Sequence, residues 1–284
     1  MWKIPSPDTT NVEYDIIAAL TYANGQFVFP TSPVERAEIL RLYTLYDQVS
    51  GQPSPLLLDT TTTSDLLTVM HTAYSQVQIG GRLEQLRNRI KLSIEKCPYC
   101  GFGEIKDLDH HLPRSIYKAF SIYPKNLIPC CHPCNNKKRT TAGELPTSQF
   151  LHAYLGRLPD ENFLIAHATV TEAGLVVNYS IQRTPEIDEH EYSRLSFQFT
   201  ELNLNERFKP EINSLISSHA TSFSLFSSVS PEAFRSFLQI SHTDSSRIFG
   251  KNHWKTALWL ALANCEDFWQ GGYIHAIGVK EVAA

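Results

Sequence analysis

Two closely spaced cysteine pairs constrain this chain more than any other feature of its 284 residues. Five of the six cysteines lie within 38 consecutive positions, and four of these form two Cys-x-x-Cys motifs. Each motif is short enough to aim two thiolates at one ion, and two such motifs complete a closed tetrahedral zinc site. Because a closed site has no open position, the predicted zinc ion is structural. The four predicted ligands are Cys97, Cys100, Cys131 and Cys134.

Cys130 competes with its neighbour for a place in the second pair. Pairing with Cys134 would give a Cys-x-x-x-Cys spacing, whereas Cys131 and Cys134 have the usual spacing. We therefore expect Cys130 to be a small buried residue. The first six residues contain neither the basic nor the apolar region of an export signal, so a reducing compartment is expected. In such a compartment clustered cysteines favour a metal site over disulfides. A cytoplasmic location is the corresponding expectation.

Composition and hydrophobic spacing predict a mainly helical α+β protein in three parts. The chain is 42% hydrophobic, which excludes a disordered protein. We expect a helical N-terminal region at residues 1–81, a central module at 82–142, and a C-terminal region at 143–284 that contains a β-hairpin and helices. Two β-rich runs, 163–171 and 175–182, predict the hairpin. Apolar residues at helical spacing predict helices at 12–20, 34–46, 66–77, 82–96, 206–218, 231–239 and 253–268.

Three further motifs lie between and just after the cysteine pairs. Residues 108–113 read Leu-Asp-His-His-Leu-Pro, residues 126–129 read Asn-Leu-Ile-Pro, and residues 135–138 read Asn-Asn-Lys-Lys. Together with the cysteines, this pattern resembles the HNH endonucleases of the ββα-metal superfamily, over 42 of the 284 residues. The resemblance implies a zinc-stapled ββα-metal module that hydrolyses phosphodiester bonds in DNA.

The resemblance also implies a role for each matching residue. His110 would be the general base, since a neutral imidazole can take a proton from water. Asp109 and Asn135 would hold a catalytic divalent cation, and oxygen ligands of this kind suit Mg²⁺ or Mn²⁺. Asn126 would brace the loop between the two strands through hydrogen bonds to the backbone. The third letter of the family name stands for a histidine at the position of Asn135. The asparagine in this chain offers an oxygen ligand there.

The neighbouring histidines leave a question of register. If His110 were the metal ligand and His111 the base, Pro113 would lie two residues beyond the base. With Asp109 as ligand and His110 as base it lies three residues beyond, as in the family, and we prefer this register. Adjacent side chains of a strand point to opposite faces, so His111 is expected to pack against the cysteine turns. His132 is expected to be a surface turn residue.

Local charge favours a nucleic-acid substrate, although the whole chain has a net charge of −4. Residues 82–139 contain 12 Lys and Arg against 5 Asp and Glu, a net charge of +7, so the remainder carries −11. DNA is therefore the predicted partner of the central module. The residues expected to neutralise its phosphates are Arg114, Lys137, Lys138 and Arg139.

Two other functions are compatible with the same motifs. One is a zinc ribbon that binds nucleic acid without chemistry, which leaves Asp109, His110 and Asn135 unexplained. The other is a restriction or homing enzyme, although no further DNA-reading element is visible. Helical flanks around a central nuclease module resemble the nuclease subunits of bacterial anti-phage systems, such as Septu-type subunits, which act beside an ATPase. The acidic flanks would suit such a protein partner, and no stretch is apolar enough for a membrane span.

Overall fold

The computed structural model describes residues 3–277 and divides them into two compact units. The cysteine unit comprises residues 3–158 and 193–198, and the C-terminal unit comprises 159–192 and 199–277. Both boundaries predicted for the central module, after residues 81 and 142, lie inside the cysteine unit. The reason is a shared core, in which side chains of the N-terminal helices pack with those of the central segment.

Four helices form the N-terminal part of the cysteine unit. Ser32 and Glu35 form a capping box at the start of the second helix, with Pro33 at its first position. The hydroxyl of Thr63 accepts from the backbone N–H of Leu66 and caps the third helix. The helices are α1 (Val12–Ala19), α2 (Pro33–Gln48), α3 (Ser64–Ala73) and α4 (Glu84–Leu92).

A small β-hairpin followed by a short helix carries the central motifs. Strands β1 (Asp107–His110) and β2 (Leu127–Cys130) are antiparallel, with Asp107 opposite Cys130 and His110 opposite Leu127. Helix α5 (His132–Lys138) follows directly and contacts β1. The long connection between the strands is packed into the core through Leu112, Phe120 and Tyr123, all buried. This strand–strand–helix order brings the three motifs together.

The C-terminal unit contains the predicted hairpin and the remaining helices, except that residues 193–198 of the helix Glu189–Glu201 belong to the cysteine unit. Strands β3 (Leu164–Thr171) and β4 (Gly174–Ile181) are antiparallel, which confirms the hairpin to within one residue at each end. Ser230 caps the helix that begins at Pro231, and this helix continues ten residues beyond its predicted end at residue 239. The helices are α6 (Glu189–Glu201), α7 (Leu204–Ser218), α8 (Ala220–Val229), α9 (Pro231–Phe249), α10 (Trp254–Asn264) and α11 (Tyr273–Ile277).

The described residues confirm the predicted α+β class, with helices predominating over two small antiparallel sheets. Within residues 3–277, none of the helices combines the length and the apolar character needed to cross a membrane.

Candidate metal centre and the adjoining cavity

The four predicted zinc ligands form one buried cluster. The Sγ atoms of Cys97, Cys100, Cys131 and Cys134 lie within 4.8 Å of one another. Four buried sulphurs at this separation can hold a metal ion such as zinc, so the predicted ligand set is confirmed as a candidate metal centre. Cys130 lies outside the cluster and is buried on β2, as expected.

Two glycines allow the first cysteine turn to close. Gly101 has φ of +88°, a left-handed conformation, and its N–H donates to the carbonyl of Cys97 over 2.8 Å. A Cβ atom at Gly103 would lie 2.6 Å from Cβ of Cys131, so only glycine lets the two turns approach this closely. Burial raises the pKa of the Cys97 thiol, whereas hydrogen bonds from neighbouring thiols lower the pKa of Cys131. A bound cation would neutralise the shared thiolate charge of such a cluster.

His110, the predicted general base, has a fixed ring orientation at the end of β1. Its Nε2 lies 2.9 Å from the carbonyl oxygen of Ser121, which can only accept a hydrogen bond. In the neutral ring the proton is therefore on Nε2, and Nδ1 keeps its lone pair. Burial lowers the pKa of His110 to about 3, and the positive charge of Arg114 acts in the same direction. The neutral imidazole is thus the favoured form.

Tyr74 supports His110 from outside the central segment. Its ring meets the imidazole edge-on, with ring centroids 4.3 Å apart, and its hydroxyl donates to the carbonyl of Leu108 over 2.8 Å. The guanidinium of Arg114 lies over the same ring, 5.1 Å from its centroid. The sequence analysis missed Tyr74, and no local pattern marks it, because 34 residues separate it from Leu108.

A solvent-accessible cavity of about 350 Å³ adjoins His110. Its lining includes most of the residues for which sequence predicted a catalytic or phosphate-binding role, together with Tyr74. A second cavity of about 410 Å³ shares Tyr74, Leu108, Arg114 and Asn135 with the first and also reaches Arg87. The predicted residues at the first cavity are Asp109, His110, Arg114, Asn135 and Arg139.

Asp109 and Lys138 form a buried ion pair, which corrects the prediction for Lys138. The Lys138 ammonium lies 3.0 Å from Oδ2 of Asp109, with side-chain exposures of 0% and 4%. It also donates to the carbonyl of His110 over 2.8 Å. A side chain buried in this way cannot contact a DNA phosphate in this arrangement. Lys138 has this place because it follows Cys134 by four residues and so lies on the same buried face of α5.

The Asp109 carboxylate has a second partner, the hydroxyl of Tyr99, which donates to Oδ2 over 3.0 Å. Burial raises the pKa of Asp109, and the Lys138 ammonium opposes that rise. The amide of Asn135, the other predicted cation ligand, donates to Oδ2 of Asp107 over 3.0 Å. The two predicted ligands therefore have separate partners in this arrangement, and the Asp109 carboxylate is already neutralised by Lys138.

Asp107 is a second residue that the sequence analysis missed. Besides Asn135, it accepts a hydrogen bond from Nδ1 of His132 over 2.9 Å. His132 is exposed, as expected of a surface turn residue, and it lies at the first position of α5. Asp107 thus links β1 to the first turns of α5. Its position two residues before Asp109 on the same strand was the available signal.

Asn126 and His111 are buried on the inner side of the hairpin. Asn126 has no exposed surface, and its amide donates to the carbonyls of Leu112 and Phe120, each over 3.1 Å. These bonds match the bracing role implied for Asn126. His111 is 4% exposed, and its ring lies 4.2 Å from that of His152 between centroids. It therefore packs into the interior while the neighbouring His110 lines the cavity.

The remaining predicted phosphate contacts differ in exposure. Lys137 and Arg139 are exposed on either side of the buried Lys138. Arg114 is half-buried, and one of its Nη atoms donates to the carbonyl of His71 over 3.1 Å. Arg114 and Arg139 line the cavity beside His110. These two guanidinium groups are the cations best placed to meet an anion there.

One relative among curated proteins is similar to this chain. Protein ea31 of Escherichia phage lambda is 27% identical over 192 residues. The match covers 62% of this chain and 64% of the phage protein, so the chain spans slightly less than two thirds of that relative. No family model and no solved structure matches the chain.

Proposed function

We propose that this chain is an HNH-type endonuclease that hydrolyses phosphodiester bonds in DNA. The observation that carries the proposal is His110, whose Nε2 faces the Ser121 carbonyl and whose ring lines a cavity that also contains Arg114 and Arg139. A base with an available lone pair beside two cations suits a reaction in which water attacks a phosphate. The local charge of residues 82–139 supports an anionic polymer as substrate.

In the proposed reaction each protein group has one task. His110 accepts at Nδ1 the proton of the water that attacks phosphorus, while its Nε2–H stays on the Ser121 carbonyl. The bond from phosphorus to one sugar oxygen breaks as the new bond to the water oxygen forms, and the leaving oxygen takes its proton from solvent water. Arg114 and Arg139 neutralise the negative charge of the phosphate, and Arg114 is steadied for this by its bond to His71. A zinc ion held by the four cysteines would be structural, because four thiolate ligands would leave it no open position.

Whether cleavage requires Mg²⁺ or Mn²⁺, as the resemblance implies, is a separate prediction with its own test. Asp109 would have to release Lys138 before it could bind such an ion, because the ammonium already neutralises the carboxylate. Cleavage should therefore be measured in Mg²⁺, in Mn²⁺ and in EDTA added after the zinc content is verified.

A cleavage assay tests the proposal directly. Supercoiled plasmid, single-stranded DNA and RNA are incubated with the wild-type protein, with His110→Ala and with His167→Ala, whose histidine is exposed in the C-terminal unit. We expect His110→Ala to lose about 100-fold or more of the DNA cleavage rate. His167→Ala should cleave like the wild type. Equal cleavage by His110→Ala and the wild type would remove the assignment.

The ion pair between Asp109 and Lys138 favours a second candidate, a zinc-stabilised module that binds nucleic acid without cutting it. The carboxylate that the resemblance assigns to a divalent cation is buried and paired with the Lys138 ammonium, which gives it a structural task. This candidate predicts DNA binding by the wild type, without cleavage of any of the three substrates under any metal condition. A restriction or homing role would instead require cleavage at defined sequences, which sequencing of the plasmid ends detects.

An anti-phage role and an ATPase partner are also proposals, and they rest on the resemblance. Co-purification from the native host, with and without ATP, tests for the partner. We expect an ATPase to co-purify and to change the cleavage rate. Full activity of the protein alone, with no associated protein, would count against it.

A further inference from the structure

We propose that Tyr46 and His152 position the loop that directly follows His110, by fixing the side chain of Asn126. Both residues lie outside the motifs that suggested a nuclease, and both are buried, at 0% and 1% exposure. The hydroxyl of Tyr46 lies 3.0 Å from Oδ1 of Asn126 and 2.9 Å from Nε2 of His152. The catalytic consequence of this proposal rests on the function proposed above.

The hydrogen bonds of the relay have one consistent direction. Nδ1 of His152 accepts from the backbone N–H groups of Tyr154 and Leu155, over 3.1 and 3.2 Å. In the neutral ring the proton is therefore on Nε2, which donates to the Tyr46 hydroxyl. That hydroxyl in turn donates its own hydrogen to Asn126. The relay thus holds Asn126 through a donor whose own orientation is set by His152.

Asn126 connects the two sides of the loop between β1 and β2. Its Oδ1 also accepts from the N–H of Leu112 over 2.7 Å, and its Nδ2 donates to the carbonyls of Leu112 and Phe120. Leu112 is two residues beyond His110, and Phe120 precedes Ser121, whose carbonyl orients the His110 ring. A rotation of the Asn126 amide would therefore change both the backbone beside His110 and the acceptor of its ring proton.

A glycine at position 51 leaves the space that the His152 ring occupies. Gly51, with φ of +67°, lies just beyond helix α2, and a Cβ atom there would be 2.2 Å from Cδ2 of His152. The imidazole therefore fits only because residue 51 is a glycine. All bonding groups of the relay have partners, so it is rigid as well as buried.

Helix α2 provides a matched control for the experiment. Tyr43 lies one turn before Tyr46, is 3% exposed, and donates its hydroxyl to the carbonyl of Ala119 over 3.3 Å. Tyr43→Phe and Tyr46→Phe thus remove the same atom from the same helix and the same core. Only Tyr46→Phe removes a donor from Asn126.

The two variants are compared with the wild type by steady-state cleavage of DNA and by amide hydrogen exchange. We expect Tyr46→Phe to lower kcat by about 10- to 100-fold with little change in KM, because the base is displaced while substrate binding is kept. The Leu112 amide should also exchange faster in Tyr46→Phe than in Tyr43→Phe. His152→Gln keeps one donor for Tyr46, so it should retain more activity than His152→Leu.

Equal kcat values and equal Leu112 exchange in the two tyrosine variants would overturn the positioning role. If Tyr46→Phe fails to fold, comparison of His152→Gln with His152→Leu decides the question by the same two readouts. Absence of cleavage by the wild type would refute the proposed nuclease instead. The relay is then judged by Leu112 exchange and by ¹⁵N NMR of His152, where a proton on Nδ1 would contradict it.

Discussion

The ammonium of Lys138 lies 3.0 Å from the carboxylate of Asp109, and neither side chain is more than 4% exposed. The pair joins helix α5 to strand β1, where Asp109 directly precedes His110. Taking two charges out of water is costly, so such a pair is stable only while both partners are present. A substitution that removes one of the two charges is therefore expected to lower the stability of the site.

Lys138→Met is therefore expected to destabilise the cysteine unit by about 3–5 kcal/mol, because it leaves the Asp109 charge buried and unpaired. Urea unfolding of the variant measures this loss. Lys137→Met is the matched control, since the neighbouring lysine is exposed, and it should change stability by about 0.5 kcal/mol or less. Similar midpoints for the two variants would contradict the structural role of the pair.

Removal of the metal should unfold the cysteine unit. In zinc-finger peptides a structural site contributes about 10–16 kcal/mol, which exceeds the stability of many whole domains. We expect about one zinc per chain in the wild type and in Cys130→Ser, and far less in Cys131→Ser. Metal analysis of the three purified proteins makes the measurement. Full zinc in Cys131→Ser, or its loss in Cys130→Ser, would exchange the roles assigned to the two cysteines.

Stability should fall as the pH is lowered from neutrality. Burial lowers the pKa of His152 to about 3, and burial also lowers the pKa of His111. The unfolded chain, with histidine pKa near 6.5, therefore binds more protons than the folded chain between about pH 6.5 and pH 3. For His152 this contribution to stability is complete above about pH 6.5 and declines toward about pH 3, and the contribution of His111 declines in the same direction on acidification.

The free energy of unfolding in urea, measured between pH 7.5 and 5.5, checks this prediction. The lower pH limit is chosen so that zinc content can be verified at each point, because thiolate protonation releases the metal. In the lower part of this range we expect a slope approaching 1.4 kcal/mol per pH unit for each buried histidine. A stability that stays constant or rises on acidification would contradict the neutral, buried state of these rings.

Arg139 is exposed beside the cavity, so its contribution should be visible in the salt dependence of DNA binding. With about five to seven phosphate contacts, log affinity should fall with log salt concentration at a slope of about −5 to −6. Arg139→Gln should reduce the size of that slope by about one. Arg247→Gln, at an exposed arginine of the C-terminal unit, is the control and should leave the slope unchanged. An unchanged slope in Arg139→Gln would remove this residue from the interface.

Several parts of the fold follow from local sequence signals. The two Cys-x-x-Cys motifs predict their cluster because each short turn aims two thiols at one point, and two such turns supply the four ligands of a tetrahedral site. The β-hairpin at Leu164–Ile181 follows from two β-rich runs and Gly174, which has φ of +129°. The bonds of Asn126 also agree with the bracing role that the resemblance implied.

Other features depend on contacts between distant residues. Tyr46 and His152 are separated by 106 positions, and no local pattern connects them. Lys138 follows Cys134 by four residues, a spacing that places both on one face of a helix and indicates burial. The lysines of the Asn-Asn-Lys-Lys motif instead favoured a prediction of phosphate contact. The serine-rich helix α8 was missed because serine is as common in loops as in helices, and helix formation there depends on packing of Phe223.

Chemical rescue of His110→Gly by imidazole tests whether His110 is the general base of DNA cleavage. The variant removes the ring and leaves space for free imidazole beside the cavity. We predict loss of about 100-fold or more in the single-turnover rate of DNA cleavage, and partial recovery that saturates as imidazole is added. His167→Gly should neither lose activity nor respond to imidazole. Cleavage by His110→Gly at the wild-type rate, without added imidazole, would contradict the assignment of His110 as the base.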